Sequence, residues 1–479
     1  MTGETYRNPV LNADWSDPDV IRVGDDFYLT ASSFTKVPGL PVLHSRDLVN
    51  WTIIGHAVTR GYDDVRPGCG VWAPSLRHHG GRFWIFYGDP DVGICWVSAE
   101  DPRGPWTPPH VVKPGSGLID PCPLWDDDGQ AYLVHAWARS RSGVNNRLTL
   151  HRMAPDGSRV LDEGTLVVDG DLLPGYRTLE GPKLYKRDGT YWIFAPAGGV
   201  EQGWQSVFRA DSISGPYEDR IVLEQGGTDV NGPHQGGWVD TPSGGHWFMH
   251  FQDRGPYGRV VHLQPMEWGD DGWPVMGDRG EPVAGGPVPV PGGAPSAPAT
   301  SDDFSGPGLG LQWSWQADPD PSWWELRDGT LRLACVPGPE DLGRRPAVLG
   351  QRLPGEPCTV TTTLTLEGEG RAGLAVVGGA SASVGVERTP DGTAVVCGDL
   401  RPVPVGDGRP VTVGARIGEG ALVTFLADTG DGLCEVGEPF QATQDKWVGA
   451  VLGLYAAGDG EGHAIFEAFT VHIDGHIER

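Results

Sequence analysis

Three acidic residues stand in similar short phrases far apart in the chain: Asp17 in SDPD, Asp120 in IDPC and Glu180 in LEGP. Two carboxylates facing each other across a gap can break an acetal. One must hold a proton to give to the leaving oxygen, and the other must be ionised to take a proton from water. A third carboxylate beside the acid strengthens its hold on the proton by like-charge repulsion. Taken singly, each phrase is also a plain turn, because proline fixes its own φ and biases the preceding residue away from helix. Asp14 and Asp19, which flank Asp17 in DWSDPDVI, read the same way. The chemistry therefore depends on whether the fold gathers the three acids.

Five aromatic runs supply the frame: FYLTA at 27–31, FWIFY at 83–87, AYLVHAW at 131–137, YWIFA at 191–195 and WFMHF at 247–251. Each is rich in strand-forming residues and follows a polar turn containing Gly or Asp, with another short strand before the turn. One unit of several strands recurs five times, which predicts a five-bladed β-propeller. The innermost strands of a propeller line one channel, so equivalent positions on them meet. Counting back from each run gives Asp17, Trp72, Asp120, Glu180 and His234, with Asp14 and Asp19 left to shape the entry to the first strand.

The expected architecture is all-β, with a propeller over 1–283, a Pro/Gly/Ala-rich linker over 284–300 and a concanavalin-like β-sandwich over 301–479. The chain has 479 residues, 73 Gly, 43 Pro, 19 Trp and a net charge of −27. So acidic a protein repels phosphate backbones and anionic lipid, which argues against nucleic acid and membrane as partners and suits a neutral sugar. Its seven cysteines, at 69, 95, 122, 335, 358, 397 and 434, include no CxxC pair, so neither a disulfide framework nor a zinc site is expected. MTGETYRNPV has no apolar core of signal-peptide length, and the expected location is cytoplasmic.

With these motifs in place the chain resembles glycoside hydrolase family 43. The resemblance rests on NPVLNADWSDPDVIRVGDDFYLTASSF, VWAPSLRHHGGRFWIFY, IDPCPLWDDDGQAYLV, LEGPKLYK and GRVVHLQPMEW, and in the second domain on PAVLGQRLPGEPCTVTTTLTLE and RAGLAVVGG. It implies a single inverting displacement with Asp17 as general base, Glu180 as general acid and Asp120 tuning and orienting the acid. It also implies sugar contacts from Phe34, Trp72 and Arg259, with His234 in the fifth blade's channel position as a further binding residue. No cofactor is required. A structural calcium in the channel would be held largely by water, since no calcium-loop spacing is present. Two departures stand out: Lys183, where many relatives carry His and which as a plain strand residue would face solvent, and AGGVEQGWQ at 197–205.

The expected activity is inverting, exo-acting removal of terminal β-D-xylosyl or α-L-arabinofuranosyl residues from oligosaccharides derived from plant cell walls. Alternatives are an endo-acting arabinanase and a non-catalytic sugar-binding propeller. The second domain is expected to pack on the propeller and close one side of the pocket. The oligomeric state is open.

Overall fold

A computed structural model describes residues 4–474; the ends of the two expected domains, 1–3 and 475–479, lie outside the described residues. Five four-stranded antiparallel sheets follow one another in chain order, and in each the strands lie in sequence order. Their first strands are Asp19–Val23, Trp72–His79, Leu118–Trp125, Lys183–Arg187 and His234–Asp240. The five aromatic runs are the second strands. Leu29, Ile85, Leu133, Ile193 and Met249 hold the same place in each run and are fully buried. This repeated burial between neighbouring sheets is what the aromatic periodicity encodes.

The ring closes by a device that the sequence pattern does not announce. Thr5–Arg7 pairs with Gly285–Pro287, and Val10 N donates to Val261 O of the fifth blade at 2.8 Å. Asn8 stitches the same segment to Leu263 through both its amide nitrogen and its oxygen. The expected linker is not a free tether: Val288 and Val290 pack on the core shared by the first and fifth blades, and Ser296 N donates to Asn50.

Residues beyond 300 form two seven-stranded sheets packed face to face. Cys358–Glu367 shows the logic, with inward Cys358, Val360, Leu364 and Leu366 alternating with half-exposed threonines. This sandwich packs firmly on the propeller. Val37 and Trp315 exchange backbone hydrogen bonds, Arg352 lies over the Trp15 ring at 3.7 Å, and Tyr257 bonds Gly418 O and Ala421 N. Asp14 joins the domains: Oδ1 accepts from Arg259 N and Oδ2 from Gly449 N, both at 3.0 Å. It is thus more than an entry residue for the first strand.

Several histidines are sealed in the propeller. Burial holds His135 down at about 3 and His250 down at about 4. A histidine depressed on folding stabilises the protein fully above its ordinary value of about 6.5 and loses that contribution as pH falls toward the folded value. The melting temperature should therefore drop between pH 6 and 4.5, each histidine adding a slope of about 1.4 kcal/mol per pH unit. A thermal melt that stays flat over this window would show that these rings are not held neutral.

Candidate active site

Every blade's first strand is the free edge of its sheet, and all five edges face the axis. Their backbone groups need partners. Side chains from the preceding blade supply several. Ser32 Oγ accepts from Ala73 N at 2.7 Å, Asp19 Oδ2 from Leu76 N at 2.7 Å, Asp120 Oδ2 from Gly181 N at 2.8 Å, and Tyr185 OH from Trp238 N at 3.1 Å. Asp19 and Asp120 therefore sit at the axis partly because the edges require acceptors there.

At the head of each edge the backbone turns through positive φ, at Asp17 (56°), Ala73 (34°), Asp120 (54°), Gly181 (59°) and Gln235 (39°). The ladders slip by one residue at this point in the second, third and fifth blades, as at a β-bulge. The bulge corrects the register inferred from sequence. Asp17 and Asp120 are equivalent, but Glu180 stands one residue before the bulge, as do Trp72 and His234. Glu180 is also the most open of the three, its side chain 26% exposed against 8% for Asp17.

Asp17, Asp120 and Glu180 line one pocket of about 290 Å³ with Phe34, Trp72, Thr178, Gln235 and Arg259. That is the small end of the range for ligand sites, which suits a sugar unit better than a long stretch of polymer. Asp17 accepts at both oxygens, from Arg259 Nη1 at 2.7 Å and Ser32 Oγ at 2.6 Å. Trp72, Gln235 and Arg259 each keep a buried N–H with no protein acceptor. Buried donors in native proteins are nearly always paired, and a sugar's hydroxyls are acceptors of the right kind.

His234 lies behind Glu180, fully buried, with Nε2 3.0 Å from Glu180 Oε1. It supports the acid from beneath and is not among the residues lining the pocket. The calcium expectation fares differently. Lys183, one of the two departures, does not face solvent. It is buried at the axis, with Nζ donating to Pro74 O at 2.6 Å and Ser75 Oγ at 2.9 Å, and lying 3.7 Å from Asp19 Oδ2. The ammonium already takes Pro74 O, Ser75 Oγ and one oxygen of Asp19, leaving Asp19 Oδ1 there without a protein partner, and calcium asks for six to eight oxygens. No cluster of three metal-binding side chains occurs among the described residues. Beside Lys183 the residues do not fit the ion.

One wall comes from the second domain. Trp447 sits on the turn between Asp445 and Val448 at φ 66°, and its ring meets Trp72 edge-on, the centroids 4.7 Å apart. Sequence reasoning named no residue for this closure. The available signal was a tryptophan in the polar turn phrase QDKWVG, where no strand would bury it. The other departure, 197–205, also reaches the wall through Gly199 and Val200.

Burial, then the facing Glu180 carboxylate, pushes Asp120 well above the usual carboxylate range; Asp17 adds to the rise, while Gly181 N–H and Lys183 oppose it. Two carboxyls so coupled titrate as a pair rather than one by one. Of the two, Glu180 is the one open to a leaving group.

A propeller whose axis gathers a coupled carboxyl pair and a clamped carboxylate in a sugar-sized pocket is the framework of a glycoside hydrolase. The chain belongs to the glycosyl hydrolases family 43, whose sequence model matches residues 6–274; that of the beta xylosidase C-terminal concanavalin A-like domain matches 301–472. A beta-xylosidase of Formosa agariphila is 32% identical, with 98% of this chain and 91% of that protein covered. The non-reducing end alpha-L-arabinofuranosidase BoGH43B of Bacteroides ovatus is 32% identical, covering 74% of this chain and 69% of its own. The crystal structure of xylan beta-1,4-xylosidase from Bacillus halodurans superposes with a TM-score of 0.87 at 26% identity, covering 97% and 99% of the two chains.

The coupled pair makes a prediction for pH dependence. Asp120→Asn removes the negative charge beside Glu180. If an acid of this pair sets the alkaline limb of the kcat/KM profile, that limb should then move to lower pH. An unmoved or raised alkaline limb in Asp120→Asn would uncouple the two groups.

Proposed function

We propose that this chain is an exo-acting, inverting β-xylosidase with Glu180 as general acid and Asp17 as general base. The observation that carries this reading is the contrast between the two carboxyls on one pocket: Glu180 is open and lies beside Asp120, whose carboxyl its charge helps to push up, while Asp17 is buried and accepts at both oxygens. In this scheme Glu180 gives its proton to the glycosidic oxygen as the bond to the anomeric carbon breaks. Asp17 takes a proton from the water that attacks the opposite face of that carbon. Inversion requires the two carboxyls about 6.5–9.5 Å apart, with room for the water between them. Asp120, ionised when Glu180 carries the proton, strengthens the acid's hold on it until the leaving oxygen takes it.

Trp447 and Trp72 together wall the pocket, which favours cleavage at a chain end over an open groove, and so an exo-enzyme over an arabinanase. Two features favour xylose over arabinofuranose: the second domain matches the beta xylosidase C-terminal model, and the Formosa relative is similar over nearly the whole chain. Arabinofuranose is the second reading, on the strength of the Bacteroides relative. We place the enzyme in the cytoplasm, acting on imported fragments. Its seven free cysteines, six of them buried, suit a reducing compartment.

Nitrophenyl β-xyloside, nitrophenyl α-L-arabinofuranoside and polymeric arabinan should be cleaved in that order of rate. Proton NMR should show α-xylose as the first product from the β-xyloside. On xylobiose, whose leaving group needs protonation, Glu180→Gln should lower kcat by about 10³-fold. Initial release of β-xylose, or undiminished cleavage of xylobiose by Glu180→Gln, would sink the assignment. Trp447→Ala should raise KM about tenfold with little change in kcat, the pattern of lost uniform binding; an unchanged KM would remove the second domain from the site.

A further inference from the structure

Directly under the catalytic carboxyls lies a second layer of side chains, two residues past the bulge on successive edges: Asp19, Ser75, Cys122 and Lys183. All four are buried. Lys183 starts the first strand of the fourth blade, yet its ammonium is bonded to the second blade, at Pro74 O and Ser75 Oγ, and is paired with Asp19 of the first. Asp19 Oδ2 also accepts from Arg77 Nη1 at 2.8 Å, and Arg77 Nη2 reaches Cys122 Sγ of the third blade at 2.8 Å. The fifth blade leaves space here: a Cβ on Gly237 would come within 2.8 Å of Asp19 Oδ1.

Burying an ammonium costs several kcal/mol unless its bonds and its counter-charge are well placed. Here three oxygens from two other blades meet it. Lys183 stands three residues from Glu180 through Gly181-Pro182, and Asp19 stands two residues from Asp17 through Pro18. Proline leaves each link little freedom in φ. The Asp19–Lys183 pair therefore spans the axis as a strut, with the acid at one end and the base at the other. The ammonium also opposes the rise of Asp120.

We propose that Lys183 is the resident cation of the propeller axis, a positioning residue that sets the separation of Glu180 and Asp17 and makes a divalent metal unnecessary. The positioning role rests on the acid and base assignments above; the independence from metal does not.

Wild-type enzyme dialysed exhaustively against EDTA should keep its kcat, and millimolar calcium should not raise it. Activity lost to the chelator and restored by calcium would overturn the proposal. Lys183→Met keeps the length of the side chain and removes its charge. It should lower kcat by about 100-fold, the cost of a displacement near 1 Å, with KM changed less than about threefold. Wild-type kcat in folded Lys183→Met would equally overturn it. Should that variant not fold, Ser75→Ala removes one acceptor from the ammonium, and kcat should fall about tenfold at constant KM; an unchanged kcat counts against the strut. The two readings fail separately: an active Glu180→Gln undoes the catalytic roles, whereas an active Lys183→Met beside an inactive Glu180→Gln undoes only the strut.

Discussion

Five sheet edges meet at one axis, and the unpaired backbone along them is the constraint from which the rest follows. A strand edge facing water can be left to the solvent, but an edge facing four others cannot. The chain meets this need by sending side chains from one blade to cap the next. Ser32 and Asp19 serve the second blade, Asp120 and Cys122 the fourth, and Tyr185 the fifth. Polar and charged residues are therefore obligatory at the axis for structural reasons. Asp120 is one of these edge caps and a member of the candidate site at once, while Asp17 and Glu180 stand beside the caps and bond side chains instead. Asp17 and Asp120 both sit at strained positive-φ positions, which cost of order 1–3 kcal/mol each for residues other than glycine and persist only where the surroundings over-determine them.

The second domain takes part in the same economy. A propeller pocket formed by five strand heads is open above, and its rim is made of loops. The sandwich places Trp447 against Trp72 on that rim and is anchored directly beneath it by Asp14. Because Asp14 also accepts from the backbone of Arg259, whose guanidinium holds Asp17, the domain contact and the Asp17 carboxylate are linked through one residue. The sandwich is part of the active site's frame.

Much of this was legible in the sequence, and the misses share a cause. The repeat showed itself because the second strand of each blade is buried on both faces, so Leu29, Ile85 and their counterparts had to be large and apolar. The three acids could be found because the phrase before each strand is a turn with its own chemistry. The one-residue bulge is written in the prolines rather than in the acids: Pro18, Pro74, Pro121 and Pro182 each follow the left-handed residue, so Gly181, not Glu180, stands level with Asp17 and Asp120, an offset that a register counted from the acids misses. Lys183 was misjudged for a related reason: a lysine in a strand usually faces water, and only the partners at Pro74, Ser75 and Asp19, over 100 residues away, reverse that expectation. His234 and Trp447 likewise take their places from contacts distant in sequence, with Glu180 and Trp72.

The bulge offset is also what lets three similar carboxyls do different work. A side chain on the bulge residue points down into the ring of edge caps, where it finds donors: Gly181 N–H for Asp120, Arg259 and Ser32 for Asp17. Glu180, one residue earlier, keeps access to the pocket and has only His234 behind it, whereas His234 at the same place in the fifth blade is buried. An acid that must hand over a proton has to reach its acceptor, and a base that must stay ionised gains from fixed donors. Had Glu180 stood at the bulge with the other two, all three would have been capped alike. Glycine at the fourth bulge, where φ is 59° and a Cβ would crowd the Gln235 side chain to 2.8 Å, allows that position to turn without a side chain of its own. It leaves the carboxyl to the residue before it.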